Sequence, residues 1–305
     1  MQSVTVKGYG KINIALKVYK KQGEYHPLDS VCVTVKKYDK ITITKRKDNK
    51  ILLTFYGKYA ESNYIQENTN AYKACKAFID RFSTCGVNVD IERNIPIGSG
   101  MGGSSADIAG TLNGLKKLFN IKDDVSDIAT LLGSDSTYLL QGGFARLKGR
   151  GEKVTFYDTD LKYYVLLIYA KRGVNTKDCF LAFDQIENDQ TNVDIDKVEK
   201  AILDKDFELL GKYSGNSLLV PAVTLNDEIG DNLKEVEKLS PSCYGMTGSG
   251  STVFVLYDSY EMASWAYGHL KKKFNKNVEL VETYNPKRIS LIEKILGVYS
   301  YGDQN

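Results

Sequence analysis

The chain has 305 residues, 42% hydrophobic and 26% charged, which is the composition of a globular protein rather than a fibre or a disordered chain. Its net charge of +3 is too small to indicate a nucleic acid or a membrane surface as a partner. No apolar run approaches the roughly 20 residues that a bilayer requires, and residues 1–10 lack the apolar core of a signal peptide, so we expect a cytoplasmic protein.

The first half of the chain reads as a strand-rich layer with a few helices. Alternating apolar residues predict six strands, over residues 3–7, 12–18, 31–36, 41–46, 51–55 and 87–91. A helix is predicted over residues 70–82, with Ala71, Ala74, Cys75 and Phe78 on one face. Further helices are predicted over residues 106–119 and 125–132, then a strand over 139–147 and a turn at 149–151.

The second half opens with an apolar strand over residues 163–170 and alternates helices with strands. Its predicted helices cover residues 177–184, 193–204, 231–238 and 260–274, and its later strands cover residues 252–257 and 278–283. This mixed order indicates an α+β fold. Because the turn near residue 150 precedes a fresh strand, we predict two domains, residues 1–155 and 156–305.

Cysteine and histidine usage narrows the possible chemistry. The five cysteines are far apart and include no CxxC pair, which favours reduced thiols over a disulfide framework or a metal cluster. Only two histidines, His26 and His269, are present. A multi-histidine metal site or a Ser-His-Asp site would need one of them, so neither is favoured.

The strongest local signal is a glycine-rich stretch placed directly before a predicted helix. We call residues 96–106 (PIGSGMGGSSA) the first glycine loop. Glycine lets the backbone approach a ligand closely, and the start of a helix offers free N–H groups to an anion such as phosphate. No GKS or GKT follows, so the loop is not a P-loop. A turn capped by Ser104 or Ser105 is the alternative that needs no ligand.

The first glycine loop resembles the phosphate-binding motif of the GHMP kinase superfamily. Residues 10–14 (GKINI) resemble the N-terminal motif of that superfamily. Residues 245–251 (GMTGSGS), which we call the second glycine loop, resemble its C-terminal motif. Three motifs in the family order are far more specific than one. The resemblance implies a two-domain GHMP kinase fold with ATP and substrate bound in the cleft between the domains.

Smaller elements resemble one branch of this family, which phosphorylates a hydroxyl of a cytidine-diphosphate-linked methylerythritol. They are residues 11–18 (KINIALKV), 23–28 (GEYHPL), 133–138 (GSDSTY), 149–152 (GRGE), 174–176 (VNT) and 215–221 (GNSLLVP). Two departures bear on the acceptor. Gly23-Glu24 replaces the branch's Asp-Gly, and Ser136-Thr137-Tyr138 replaces its Val-Pro-Phe. Two alternatives therefore stay open: a kinase with a mevalonate- or homoserine-type acceptor, and a non-catalytic nucleotide sensor.

The resemblance assigns roles to individual residues. Asp135 is the candidate base, and Lys11 is its electrostatic partner. The substrate-binding candidates are Asn13, Tyr25, His26, Thr176, Gly248 and Ser249. The ATP-binding candidates are Pro96, Ile97, Gly98, Ser99, Gly100, Met101, Gly102, Gly103, Ser104, Ser105 and Ala106. ATP and Mg²⁺ are the implied cofactors, with metal ligands unassigned, and we expect a monomer or a homodimer.

Each role has a plain alternative on the residues alone. An aspartate in GSDST commonly caps a turn or helix, and a lysine beside a strand is commonly exposed. His26 could be a solvated loop residue, and Gly248 could serve a purely structural turn. Thr247 is balanced between a phosphate contact and a structural hydrogen bond.

Overall fold

The computed structural model describes residues 2–186 and 191–286, which form a mixed α+β structure. The strands in this part of the chain are β1 (Ser3–Val18), β2 (Leu28–Lys45), β3 (Ile51–Tyr56), β4 (Val87–Glu92), β5 (Phe144–Gly149), β6 (Lys153–Phe156), β7 (Tyr164–Ile168), β8 (Gly215–Asn216), β9 (Cys243–Met246), β10 (Val253–Tyr257) and β11 (Val278–Tyr284). The α-helices are α1 (Asn70–Phe82), α2 (Gly103–Phe119), α3 (Ser126–Leu132), α4 (Ser136–Leu139), α5 (Thr176–Phe183), α6 (Ile195–Asp204), α7 (Phe207–Tyr213), α8 (Leu219–Leu225), α9 (Glu228–Glu237) and α10 (Tyr260–Phe274).

The N-terminal half is organised around a long antiparallel hairpin, β1 with β2. The sequence analysis predicted two separate strands within β1, over residues 3–7 and 12–18, and two within β2, over residues 31–36 and 41–46. That prediction was wrong, because each is one continuous strand. Residues 8–11 lie outside the two predicted strands, but they belong to β1, and Gly8 is a point of close approach. A Cβ there would lie 2.6 Å from the Ala106 carbonyl oxygen of α2. The glycine lets the helix pack closely on the sheet without ending the strand.

Helices α1 and α2 cover one side of this sheet. Helix α1 has the predicted bounds, and the four predicted core residues are all buried: Ala71, Ala74, Cys75 and Phe78. Helix α2 begins at Gly103, three residues before its predicted start, because the two serines join the first turn. Together with α3 and strands β2 and β4 these helices enclose one hydrophobic core.

The strand predicted over residues 139–147 is only half correct. Residues Ser136–Leu139 form α4, and the strand begins at Phe144. Between them Gly142 and Gly143 have φ of 74° and 91°. This left-handed backbone makes a turn before the strand starts.

The C-terminal half is a sheet of β9, β10, β7 and β11, in that spatial order, packed with helices α5, α8, α9 and α10. Most predicted elements here are found, whereas α7, α8 and the short strands β8 and β9 were missed, as was β6, which pairs with β5 of the N-terminal half. Strand β11 also pairs with β2 through Thr283↔Val35, so hydrogen bonding continues from one half of the chain into the other. The domain boundary at residues 155/156 stays a prediction.

Two predictions about composition can be compared with the described residues. None of their helices is both long and apolar enough to cross a bilayer. All five cysteines are free, and four of them are buried; their reduced state stays a prediction.

Candidate active site

A cleft of about 730 Å³ brings together most of the predicted site residues. Its lining comes from both halves of the chain and includes Lys11, His26, Asp135, Thr176 and the first glycine loop. A larger cavity, about 860 Å³, lies near Lys36, Leu161 and Tyr284 but contains none of the predicted residues. The chemistry of the lining, not the size, therefore identifies the first cleft as the candidate active site.

Lys11 and Asp135 meet at the centre of this cleft. Lys11 Nζ lies 3.5 Å from Asp135 Oδ2, and the Lys11 side chain is only 5% exposed, against 24% for Asp135. The alternative of an exposed lysine is therefore excluded. Asp135 occupies the position before α4 but makes no side-chain cap hydrogen bond. Its carboxylate is directed to Lys11 instead of capping the helix.

Asn13 holds the Lys11 ammonium from the other side. Lys11 Nζ donates to Asn13 Oδ1 at 2.6 Å. The two residues are two apart on β1, so their side chains share one face of the strand. Register shifts occur on either side of them, between Tyr9 and Lys11 and between Asn13 and Ala15. Such bulges re-aim side chains locally, which fits the need to direct these two into the cleft.

The side-chain nitrogen of Asn13, Nδ2, also makes contacts within the protein. Asn13 Nδ2 donates to Ser30 Oγ at 2.8 Å and to Cys32 Sγ at 3.1 Å. Burial raises the pKa of the Cys32 thiol to about 11, so this sulfur is uncharged at neutral pH. The main role that these contacts indicate for Asn13 is to position Lys11. A substrate contact by Asn13 stays a prediction.

The first glycine loop leads from β4 into α2 with an irregular backbone. Gly98, Gly100 and Gly102 all have positive φ, between 63° and 74°, a conformation that only glycine adopts without strain. Gly102 precedes the first turn of α2, and this position carries no side-chain cap. The alternative of a loop capped by Ser104 or Ser105 is thus wrong. The first N–H groups of α2 are not capped by a side chain, as an anion site requires.

This loop passes directly over the central pair. A Cβ added to Gly102 would lie 3.4 Å from Lys11 Cε and 3.5 Å from Asp135 Oδ2. The Lys11 amide also donates to the Met101 carbonyl at 2.9 Å. The helix start, the ammonium and the carboxylate therefore converge within a few ångströms.

The second glycine loop packs against the first. A Cβ at Gly100 would lie 2.0 Å from the Thr247 carbonyl oxygen, and one at Gly248 would lie 2.6 Å from the Gly100 oxygen. Thr247 is fully buried, and its hydroxyl accepts a hydrogen bond from the backbone N–H of Asn13 at 3.0 Å. The Gly248 amide donates to Asn13 Oδ1 at 2.9 Å. These contacts favour the structural interpretation of Thr247 and explain the glycine at 248.

The same cleft is also lined by a group of mostly aromatic side chains, which we call the aromatic end: Tyr25, His26, Arg150, Phe180 and Asp184. The His26 side chain is 8% exposed, and Nε2 lies 2.6 Å from Asp184 Oδ1. Its ring centroid is 5.1 Å from that of Phe180. The alternative of a solvated loop histidine is therefore excluded. The Arg150 guanidinium lies 4.1 Å from the Tyr25 ring centroid, a cation–π contact.

Two more predicted residues connect the walls of the cleft. The Thr176 and Ser249 hydroxyls are 3.0 Å apart, and both residues line the cleft. This contact joins the start of α5 to the second glycine loop.

Sequence reasoning missed several residues that line the cleft. Phe180 and Asp184 follow Thr176 at intervals of four, so a helical reading of residues 176–184 could have placed all three on one face. Arg150 could have been inferred from its place in the GRGE element. Asp39, Arg93 and Asp107 also line the cleft, and no motif pointed to them.

Comparison with known proteins agrees with this geometry. Residues 69–143 match the GHMP kinases N terminal domain, and residues 198–276 match the GHMP kinases C terminal domain. The chain belongs to the GHMP kinase family, as the three motifs predicted.

Within the family, the chain is 33% identical to the 4-diphosphocytidyl-2-C-methyl-D-erythritol kinase of Clostridium beijerinckii, over 91% of this chain and 99% of that protein. A crystal structure of 4-(cytidine 5'-diphospho)-2C-methyl-D-erythritol kinase has the same fold, with a TM-score of 0.77 and 22% identity over 93% of this chain and 100% of that one. Homoserine kinase from Cytophaga hutchinsonii is also similar in fold, with a TM-score of 0.74 and 16% identity over 93% and 95% of the two chains.

Proposed function

We propose that this protein is a 4-diphosphocytidyl-2-C-methyl-D-erythritol kinase. It transfers the γ-phosphoryl group of ATP to the 2-hydroxyl of the cytidine-diphosphate-linked substrate, in the non-mevalonate route to isoprenoid precursors. The observation that carries the proposal is one cleft holding both a Lys11–Asp135 pair under a helix N-terminus and an aromatic end. Full-length relatives bearing this name support the same function.

Asp135 serves as the base in this mechanism. The acceptor hydroxyl loses its proton to Asp135 while its oxygen bonds to the γ-phosphorus. The bond from that phosphorus to the bridging oxygen of ADP breaks, and ADP leaves with the electron pair. Asp135 is accessible for this step because its carboxylate does not cap α4.

Lys11 stabilises the negative charge that develops on the phosphoryl group. Its ammonium is held between Asn13 and Asp135, so little reorganisation is needed as charge develops. The first N–H groups of α2 add a positive dipole end beside the same phosphates. The Lys11 ammonium is shielded from bulk water because the residue is almost fully buried.

The aromatic end binds the cytosine in this proposal. The Tyr25 ring offers a face for stacking, and the His26 imidazole can hydrogen-bond to the edge of a pyrimidine. Phe180 adds a second aromatic surface next to His26. Thr176, Gly248 and Ser249 line the same cleft, and the substrate diphosphate would run along them.

GHMP kinases use ATP, and Mg²⁺ is proposed as its companion ion. No described cluster of three His, Cys, Asp or Glu residues could hold a metal by itself. This fits Mg²⁺, which commonly binds through substrate phosphates and only one or two protein groups. The Ser104 and Ser105 hydroxyls are the proposed protein ligands, and the ion would neutralise charge on the phosphates. We expect the reaction to occur in the cytoplasm, in a monomer or homodimer.

The test is ADP release by the purified protein with Mg-ATP and one acceptor at a time. We expect turnover with 4-diphosphocytidyl-2-C-methyl-D-erythritol and none with mevalonate or homoserine. Turnover with mevalonate or homoserine would show that the acceptor is a different compound, while the assignment as a kinase would stand. ATP binding without turnover on any acceptor would favour the nucleotide sensor.

A further inference from the structure

The His26 imidazole is held by the end of α5. This helix belongs to the C-terminal half, whereas His26 lies in the connection between β1 and β2. His26 Nε2 lies 2.6 Å from Oδ1 of Asp184, the residue that follows α5. The His26 ring also packs on Phe180, at 5.1 Å between centroids, and edge to face on Phe183, at 5.9 Å. Residues 180, 183 and 184 are neighbours on a helix surface, so one helix end sets both the position and the orientation of the ring.

The segment that carries His26 is closed by backbone hydrogen bonds. The Tyr19 N–H donates to the Pro27 carbonyl at 2.9 Å, and the Gln22 N–H donates to the Tyr25 carbonyl at 2.8 Å. His26 therefore meets α5 from a defined backbone, and its side chain has little freedom left.

The contact with Asp184 decides which ring nitrogen of His26 carries the hydrogen. An ionised carboxylate only accepts hydrogen bonds, and the Asp184 side chain is 30% exposed, so water still favours its charged form. His26 Nε2 must therefore donate. In a neutral imidazole the other nitrogen, Nδ1, then carries no hydrogen and can only accept.

The Nδ1 atom is available to a ligand. Within the described part of the chain it makes no hydrogen bond with the protein, and it is not one of the enclosed polar atoms that lack a partner. His26 lines the candidate active site, so a base bound there can reach this acceptor.

An acceptor at this place distinguishes the two pyrimidines by their group at position 4. Cytosine carries an amino group, which can donate to Nδ1, whereas uracil, like thymine, carries a carbonyl oxygen, which can only accept. Cytosine N3 and O2 are acceptors as well, so the amino group is the part of the cytosine edge that fits this tautomer. Uracil O4 would face Nδ1 lone pair to lone pair and leave both atoms without a hydrogen bond.

We propose that Asp184 is a specificity-determining residue, which holds His26 in the Nε2–H tautomer so that Nδ1 accepts from the amino group of cytosine and rejects uracil. Asp184 is a positioning residue, since it acts through His26. The inference rests on the proposed function, in which His26 meets the pyrimidine of the substrate.

The experiment compares 4-diphosphocytidyl-2-C-methyl-D-erythritol with its uridine-diphosphate counterpart as acceptors, in the wild type and in Asp184→Asn. The asparagine keeps the size of the side chain, but its amide can donate to Nε2, which lets the ring hydrogen move to Nδ1. The ring can then donate to uracil O4. We expect the wild type to prefer the cytidine compound by about 100-fold in kcat/KM, and the variant to prefer it by only about tenfold. The change should come largely from a lower KM for the uridine compound, with kcat for the cytidine compound altered by less than about twofold.

Asp178→Asn is the matched control, because Asp178 is exposed on the same helix and does not line the cleft. It should keep the wild-type preference. A purely structural role for Asp184 would lower kcat/KM for both acceptors by the same factor. An unchanged preference in Asp184→Asn would therefore overturn the proposal.

A second measurement reads the tautomer without any ligand. The chain has only two histidines, so the imidazole nitrogens of ¹⁵N-labelled protein without a histidine tag give two sets of NMR signals, and His269→Ala assigns them. We expect the hydrogen of His26 on Nε2 in the wild type, and a larger share of it on Nδ1 in Asp184→Asn. A hydrogen on Nδ1 in the wild type, alone or together with one on Nε2, would contradict the proposal. If neither acceptor is phosphorylated, the proposed function fails, while the spectrum still tests the His26–Asp184 pair.

Discussion

The centre of the cleft and its aromatic end are built in different ways. Lys11, Asn13 and Thr247 are almost fully buried and are fixed by several hydrogen bonds that connect both glycine loops. Tyr25 and Arg150 are exposed, and their side chains meet in a cation–π contact, while their backbones bond to Gln22 and to the Glu152 carboxylate. We therefore expect the centre to set the geometry of the reaction, and we expect the aromatic end to select the ligand and to vary with less effect on turnover.

The largest expected effect comes from the base. Asp135→Asn keeps the size of the side chain but cannot take a proton, so kcat should fall by about 10²–10⁴-fold. Calorimetric Kd values for ATP should change little, which separates chemistry from binding. If kcat is retained, the centre does not contain the base, and the contrast between the two regions is lost.

The next largest effect comes from the contact between the loops. Gly100→Ala places a methyl group 2.0 Å from the Thr247 carbonyl at a positive φ, so one loop must move. We expect a loss of about 2–4 kcal/mol in unfolding free energy, measured with urea. Gly268→Ala on α10 is the matched control, because its Cβ meets nothing within 4 Å and φ is not positive. Equal stability of both variants would show that the loops do not need this close approach.

A smaller effect is expected at the aromatic end. His26→Ala removes one hydrogen-bonding group, so the KM for the cytidine substrate should rise about tenfold while kcat and the KM for ATP stay nearly constant. His269→Ala, on α10 and outside the cleft lining, is the control. An equal rise in both KM values would mean that His26 supports the whole cleft and does not read the cytosine.

The smallest effect is expected for Arg150→Ala. Its cation–π contact with Tyr25 is exposed, and such contacts contribute about 0.5–1 kcal/mol, so KM for the cytidine substrate should rise about two- to fivefold. Arg150→Lys should restore most of the affinity if the cation positions Tyr25. A hundredfold loss would instead place Arg150 directly on the substrate diphosphate.

The sequence predicted the fold class and which distant residues share the cleft, but not the full length of the first two strands. Lys11 and Asp135 were matched to motifs 124 positions apart in the chain and lie 3.5 Å from each other. The gaps predicted within β1 and β2 were wrong because the alternation of apolar residues lapses there, although hydrogen bonding between the two strands continues along their length. Asp39, Arg93 and Asp107 could not be found, since their place in the cleft depends on tertiary contact between β2, the segment after β4, and α2.

The length of β1 has a mechanical consequence. Its middle carries Lys11, and its end pairs with Gly215 and Asn216 of the C-terminal half. Val18 and Leu16 also exchange hydrogen bonds with Ser217. One stiff strand is thus anchored in both walls, and separating them as rigid bodies would break these bonds. We therefore expect ligands to enter and leave through rearrangement of side chains and turns at the rim, because moving the walls apart would first break these bonds.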